Sequence, residues 1–428
     1  MFIHLVAGMA LAVATLSGAY ATHGDERLEA LIEDALGANP RVLRAFADYQ
    51  AARHRGPQEA GLPDPTVSFT QFARTVETRV GPQQRMLSVS QGIPGLGKRA
   101  AKSQLASKSA EVHDELYSAT RAEIVLRVKH AYYDLGYLDR ALAKTREDEA
   151  LLEHFEEIAR RRYAQGFGLQ ADSLRLQAQI MHATHRRQQL LGQRVDLEAA
   201  LNSLRDVPAD AEIAEILLPT LPDLDLERES LAAIGRRARS EIRAAFRRIE
   251  ETEKRVHLAK IRHRPDLTLG LAWGNIRARG TELAGMPIPG NGKDSYAVSV
   301  GATLPLFRRK YDAGIREASE RLSAARLAYR DSVSAMEAEI RSLSFRIENI
   351  EGQIRLFEST LVPQAEQALE STLAAYSNGT IEVTGLLDIQ RTLLDVQLGL
   401  ARLRADYLKA VADLERAIGA AVPEELHS

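Results

Sequence analysis

The sequence predicts a mainly α-helical chain with a membrane β-barrel portion, built as one repeat written twice. Three observations carry this: landmarks that recur in order about 200 residues apart, two very long unbroken helical stretches, and two segments of strict two-residue alternation. Tyr163, Gly166 and Gln177 return as Tyr376, Gly379 and Gln390, each 213 positions later. Leu87-Ser88-Val89 leading to Pro94 returns as Val298-Ser299-Val300 leading to Pro305 at an offset of 211, and Pro63-Asp64 returns as Pro265-Asp266 at 202. The growing offset places about nine added residues between Pro265 and Val298, in a stretch holding Gly280, Gly285, Gly290 and Gly292.

The first 21 residues read as a signal peptide. No Lys, Arg, Asp or Glu precedes Asp25, Leu5 to Leu16 is apolar, and Ala19-Tyr20-Ala21 supplies a small-x-small cleavage pattern. Repeat 1 then covers 22–205. It opens with helix from Leu28 to Arg55, restarting near Pro40. A β-hairpin at about 66–93 is opened by Pro63 and Pro65. A long helix over 98–165 follows, broken by no proline, with Gly136 inside it. Val128, Leu135 and Leu142 fall seven apart with Tyr132 and Leu138 between them, the spacing of a coiled-coil seam. At 1.5 Å per residue this helix is about 100 Å long, far more than a globular core needs. Gly166 and Gly168 end it, and a return helix runs over 169–204.

A proline-rich connector, 206–225, holds Pro208, Pro219 and Pro222. Repeat 2 covers 226–420, with a hairpin at about 266–305, a long helix over 310–377 and a return helix over 382–418; 421–428 is a tail. Leu400, Leu403, Tyr407, Val411, Leu414 and Ile418 keep one apolar face on the return helix. Pro363 lies inside the second long helix, where the first repeat has Ala150, and is expected to kink it.

The strands carry the sharper message. Leu267, Leu269, Leu271 and Trp273 alternate with Thr268, Gly270, Ala272 and Gly274, while Tyr296, Val298, Val300 and Ala302 alternate with Ala297, Ser299, Gly301 and Thr303. An apolar face opposite a small or hydroxylic one suits a barrel strand between lipid and water, and also a hairpin packed on a soluble core. Four strands cannot close a barrel, and an open edge cannot sit in hydrocarbon, so a membrane location needs several chains: two would give eight strands, three would give twelve. Trp273 and Tyr296 are expected at the bilayer interface, and Lys98 at the water boundary of the strand-to-helix turn.

Composition excludes several classes. A net charge of −2 argues against a nucleic-acid binder, and the basic run from Arg236 to Arg248 is answered by Glu250, Glu251 and Glu253. Without cysteine there is no disulfide, thiolate site or lipid-bearing N-terminal cysteine. His182 and His185 stand three apart with no third ligand at a recognisable spacing, and Gly95-Leu96-Gly97-Lys98 has the wrong spacing for a phosphate loop. No catalytic residue, cofactor site or metal site is therefore assigned.

The duplicated Tyr-x-x-Gly turns, Leu62-Pro63-Asp64-Pro65, Ser90-Gln91-Gly92-Ile93-Pro94-Gly95-Leu96-Gly97-Lys98 and Leu361-Val362-Pro363-Gln364-Ala365-Glu366 together resemble the TolC family of outer-membrane efflux proteins, across nearly the whole chain. The Ser-Gln…Gly-Lys stretch resembles its heavy-metal branch. The resemblance implies a homotrimer with a twelve-stranded outer-membrane barrel, four strands per chain, above a trimeric α-helical barrel of long antiparallel helices reaching into the periplasm. It implies a passive duct, not an enzyme, working with a periplasmic adaptor (a membrane fusion protein) and an inner-membrane pump, an RND-type pump being favoured. Adaptor-docking tips then fall at Tyr163, Gly166, Gly168 and Leu169, and at Asn378, Gly379 and Thr380. A periplasmic gate falls at Asp388, Asp172 and Tyr376. Asp388 takes one position of the family's carboxylate rings, the other being Gly385, and the arginine that joins the link of Asp172 and Tyr376 is replaced by Ile381. Three Asp388 side chains meeting on an axis would repel one another and attract cations. The resemblance implies a cargo of metal ions or small toxic compounds. A protein-secretion duct and a periplasmic coiled-coil scaffold without a pore are the alternatives.

Overall fold

The computed structural model describes residues 25–279, 282–283, 286–287 and 289–423; the expected signal peptide lies outside them. In chain order the elements are α1 (Glu26–Ala38), α2 (Pro40–Ala60), β1 (Thr66–Thr78), β2 (Gly81–Ile93), α3 (Lys98–Ala164), α4 (Gln170–Arg205), α5 (Arg228–Ala238), α6 (Ser240–Ile261) and β3 (Leu267–Ile276). Two short strands follow, β4 (Glu282–Leu283) and β5 (Met286–Pro287), then β6 (Ser295–Ala302) and α7 (Arg308–Leu356). A π-helical turn (Phe357–Leu361), α8 (Val362–Ser377) and α9 (Val383–Ile418) complete the chain. No described helix is long and apolar enough to cross a membrane. The contacts divide the protein into two compact units.

The first unit holds residues up to Phe46, Glu115–Arg243 and from Asp331 onward. Its centre is the seam of α3, where Val128, Tyr132, Leu135, Leu138 and Leu142 are all buried, as are Ala401, Ala405, Leu408, Val411, Leu414 and Ile418 of α9. Among these apolar groups sits an ion pair: Lys129 Nζ lies 2.6 Å from Glu415 Oε2, with both side chains 2% exposed. Asp25 caps α1 by accepting from the backbone of Arg27 and Leu28, and also accepts from the Tyr132 hydroxyl at 2.5 Å. The connector after α4 is stitched to α3. Asp139 receives Arg194 Nε at 2.6 Å and the Ile216 N–H at 2.8 Å, and Arg194 also reaches the Ile213 carbonyl at 2.9 Å. Gly136, the one glycine inside α3, is required by this approach, because a Cβ there would lie 2.5 Å from Leu218 Cδ2.

The second unit, Ala47–Asp114 and Ala244–Arg330, carries one four-stranded antiparallel sheet in the order β1-β2-β3-β6. Register sorts its residues into rows. On one face lie Phe69-Leu87-Trp273-Tyr296, Val67-Val89-Leu271-Val298, Gln91-Leu269-Val300 and Ile93-Leu267-Ala302. On the other lie Ser68-Ser88-Ala272-Ala297, Thr66-Ser90-Gly270-Ser299 and Gly92-Thr268-Gly301. Most large side chains of the apolar face are uncovered, from Leu87 at 38% to Tyr296 at 82% exposed, while Trp273 and Ile93 are half-buried. β1 and β6 pair on one side only, so the sheet is open at both edges. β4 and β5 form a separate two-stranded ribbon that alternation did not announce. Asp266 ties the sheet to the helices at its base. Its carboxylate accepts from Lys98 Nζ at 2.8 Å and the Gly95 N–H at 2.7 Å, and its carbonyl accepts from the Thr303 N–H at 2.8 Å.

Glu415→Ala should cost about 3–5 kcal/mol, since the buried Lys129 ammonium loses its carboxylate. Lys129→Met/Glu415→Leu, which removes both charges, should recover most of that loss. Thermal unfolding in detergent followed by circular dichroism reads both; equal losses for the single and double variants would count against the pair as a coupled unit.

Candidate functional site

The two glycine turns, both in the first unit, are copies in hydrogen bonding as well as in sequence. Gly166 N–H donates to Tyr163 O at 3.0 Å and Phe167 N–H to Arg162 O at 2.9 Å; Gly379 N–H donates to Tyr376 O and Thr380 N–H to Ala375 O, each at 3.0 Å. This is the paired cap that ends a helix on a left-handed residue. Gly166 and Gly379 take φ of +79° and +78°, which only glycine adopts without steric cost. The following helices open alike, Asp172 N–H on Leu169 O and Gly385 N–H on Glu382 O, both at 3.1 Å.

The turns differ in what they display. Tyr163, Phe167 and Leu169 are exposed at the first, and Asn378, Gly379 and Thr380 at the second. Gly168 is held close, since a Cβ there would meet Arg162 Cβ and the Tyr163 nitrogen at 3.1 Å. Phe167, a bulky apolar residue between the two turn glycines, falls inside the expected tip of Tyr163 to Leu169. Beneath the turns a core joins four helices: Leu152, Phe155 and Ala159 of α3, Leu176 and Ala183 of α4, Tyr376 of α8, and Val383, Leu386 and Leu387 of α9.

Tyr376 is buried, and the Arg162 guanidinium sits 4.8 Å above its ring while donating to the Phe167 carbonyl at 3.2 Å. Burial raises the Tyr376 hydroxyl pKa above the ordinary tyrosine value; the Asp172 carboxylate adds to this and Arg162 opposes it. Ile381 packs against the core, and the cation beside Tyr376 is Arg162, which comes from α3. Sequence reading missed Arg162 because it stands in the run Arg160-Arg161-Arg162, which looks like ordinary dipole-complementing charge in a last helical turn. Asp388 is exposed on α9, and among the described residues its carboxylate makes no hydrogen bond or ion pair with Asp172 or Tyr376.

The repeated glutamines share a task. Gln177 Nε2 donates to Glu156 at 3.2 Å on the exposed side, and Gln390, buried, donates to the buried Asp148. Burial raises the Asp148 pKa; the Gln390 donation and Arg186 oppose this, while Glu149 and Asp395 add to it. Pro363 is the second residue of α8, directly after the π-helical turn, where Val362 N–H reaches back five residues to Phe357 O. The wide turn occupies the residues whose carbonyls a proline at 363 leaves without a donor. Trp273 and Tyr296 are cross-strand neighbours on β3 and β6, and the Trp273 indole donates to Asp294 at 3.0 Å. Among the described residues no cluster of three His, Cys, Asp or Glu side chains could hold a metal ion.

Because the folded pKa of Asp148 lies above its unfolded value, the native chain holds that proton more tightly. This stabilisation is complete below the ordinary carboxylate range and is lost as pH rises through the folded pKa. Asp148→Asn should raise stability at neutral pH by on the order of 1 kcal/mol and flatten the decline from acid toward neutrality. Melting curves between pH 4 and 8 measure this, and an unchanged slope would acquit Asp148.

Comparison with known proteins agrees with these features. The family model described as "Outer membrane efflux protein" matches residues 31–206 and 236–420, one block per repeat. The chain is 23% identical to the outer membrane protein TolC of Vibrio cholerae over 424 residues, covering 92% of this chain and 91% of that one. It is 20% identical to the cobalt-zinc-cadmium resistance protein CzcC of Cupriavidus metallidurans over 401 residues, covering 92% and 90%. Among solved structures, the outer-membrane channel OprN superposes with a TM-score of 0.76 at 18% identity, covering 93% of this chain and 91% of that one. VceC of Vibrio cholerae superposes at 0.75 and 21% identity, covering 92% and 96%. The family's members are passive outer-membrane channel components of tripartite efflux systems, in which an adaptor and an inner-membrane pump do the driving, and the chain belongs to this outer membrane efflux protein (TolC) family.

Proposed function

We propose that the protein is a homotrimeric exit duct for metal ions or small toxic compounds, served by an RND-type pump. The observation that carries this reading is the sheet. One face is a largely uncovered block of Val, Leu, Phe and Tyr around the half-buried Trp273, the other is mostly Ser, Thr, Gly and Ala, and both edges are unpaired. An uncovered apolar face speaks against a scaffold whose hairpins pack on protein. In hydrocarbon every backbone N–H and C=O must be paired, so further copies have to supply strands on either side of β1 and β6. Small side chains on the inner face favour a wide, water-filled tube, which three copies give and two do not. The likeness to CzcC, a resistance protein for metal ions, supports the cargo class. The repeated turns suit adaptor docking: a cap of fixed geometry presents Tyr163, Gly166, Gly168 and Leu169 at one, and Asn378, Gly379 and Thr380 at the other. Asp388, exposed a few residues beyond the second turn, is the carboxylate placed to meet its symmetry mates in a gate, with Asp172 and Tyr376 holding the neighbouring helices.

A chain without cysteine allows a direct test. Ser68→Cys/Ala297→Cys places thiols on the two edge strands, and a short bismaleimide should then give covalent dimers and trimers in outer membranes, with nothing larger. Monomers alone, or a ladder stopping at dimers, would overturn the twelve-stranded reading. In planar bilayers Asp388→Ala should raise single-channel conductance and weaken block by divalent cations several-fold; conductance and block equal to wild type would remove Asp388 from the gate.

A further inference from the structure

Where the helices meet the base of the sheet, the second unit contains a pocket of about 460 Å³ between the start of α3, the end of α6 and the start of α7. Six cationic side chains line it: Lys98, Lys102, Arg255, Arg262, Lys310 and Arg321. Four of them have carboxylates beside them. Lys98 lies 2.8 Å from Asp266, Lys102 3.6 Å from Glu59, Arg255 2.8 Å from Glu251 and Arg321 2.7 Å from Glu317. Arg262 and Lys310 are exposed and, among the described residues, pair with no carboxylate. The pocket thus holds two positive charges beyond those its own carboxylates balance, and Glu251 is shared further with Arg248.

Its position gives that charge a partner. The lowest apolar row of the sheet is Ile93-Leu267-Ala302, and Asp266, which holds Lys98, is the residue immediately before Leu267. Asp266 and Lys98 therefore stand at the end of the paired apolar rows, and the exposed Leu304, Leu306 and Phe307 carry the apolar surface on to the start of α7, where Lys310 lies. At the other end of the apolar face stands the row Phe69-Leu87-Trp273-Tyr296, so the cations gather at the end of the sheet away from that row. Basic clusters just outside a membrane-spanning segment attract anionic headgroups at about 1 kcal/mol per cation. The junction into β1, Gly61-Leu62-Pro63-Asp64-Pro65, carries no cation, so the charge belongs to one side of the base and is not a uniform collar.

We propose that this pocket binds the phosphate of an anionic phospholipid in the periplasmic leaflet of the outer membrane, with Arg262 and Lys310 as the contacts that select for charge. The inference rests on the reading that the sheet lies in the bilayer. Lys98 and Arg255, each already held by a carboxylate, shape the site, and the aliphatic stems of Lys102 and Arg321 suit the glycerol side of a lipid.

Native mass spectrometry of the full assembled protein, titrated with phosphatidylglycerol, phosphatidylcholine or glycerol 3-phosphate, tests this. Phosphatidylglycerol should bind more tightly than phosphatidylcholine, and Arg262→Ala/Lys310→Ala should weaken it about thirtyfold while leaving the oligomer intact. Arg262→Lys/Lys310→Arg, which keeps both charges, should bind nearly as wild type. Equal binding of the two lipids, or wild-type affinity in the alanine variant, would overturn the proposal. Saturation by glycerol 3-phosphate at the same concentration as the lipid would make the pocket a site for free phosphate and overturn it as well. Failure of the wild-type protein to enter phospholipid nanodiscs at all would strike the membrane reading of the sheet; entry without lipid selectivity would strike only the pocket.

Discussion

Backbone hydrogen bonding at the sheet edges constrains everything else in this molecule. β2 and β3 are paired on both sides, but β1 and β6 each leave one row of N–H and C=O groups without a strand to meet them. Water can satisfy such an edge and lipid cannot. Once the apolar rows are placed in a bilayer, a single copy is incomplete in a way that side-chain adjustment cannot repair. The duplication supplies the means. One hairpin contributes two strands, its copy two more, and β2 pairs with β3 across the repeat boundary, so the sheet of one chain is already an assembly of two equivalent pieces.

Equivalence holds where backbone geometry is at stake and fails where side chains meet different neighbours. The glycine turns match hydrogen bond for hydrogen bond, because a helix ended by a left-handed residue has few other ways to satisfy its last carbonyls. The glutamines match in role but not in setting: Gln177, itself exposed, serves a half-buried Glu156, whereas Gln390 serves Asp148 inside the core. Pro363 has no mate, and α3 runs unbroken through the position where the second repeat widens into a π-helical turn. One ancestral repeat has in this way become two non-identical arms.

How legible this was in the sequence follows from the same distinction. The α-rich class, the alternating strands and the seam at Val128, Leu135 and Leu142 could be read directly, because periodicity survives in a single chain and long helices leave little room for another answer. The glycine turns were visible because positive φ restricts residue choice. Arg162 was not, since a cation–π contact needs the partner ring from another helix and leaves no spacing signature in one segment. The pairing of Asp148 with Gln390 was half legible: the repeat marked the glutamine, but nothing local marked its carboxylate 242 residues away. The ribbon of β4 and β5 is too short for alternation to register.

Long antiparallel helices packed along a regular seam have a weakness: shifted by one heptad, about 10 Å along the axis, the apolar residues of each still meet apolar residues of the other. Polar pairs between α3 and α9 close off that alternative. Lys129 meets Glu415, Asp134 receives Lys409 at 3.0 Å and Arg402 at 3.1 Å, and Asp148 meets Gln390, so the partners descend along α9 as they ascend along α3. A heptad slip would break all of these together and leave Lys129 and Glu415 buried and unpaired, a cost far above that of a mismatched leucine. The turns at Gly166 and Gly379 lie beyond the last of these pairs, above the apolar core of Leu152, Phe155, Leu176 and Val383 and beside the Arg162 stack on Tyr376. That core forms only in the register the polar pairs select, so a residue such as Glu415 bears on what the tips present without lying anywhere near them in sequence.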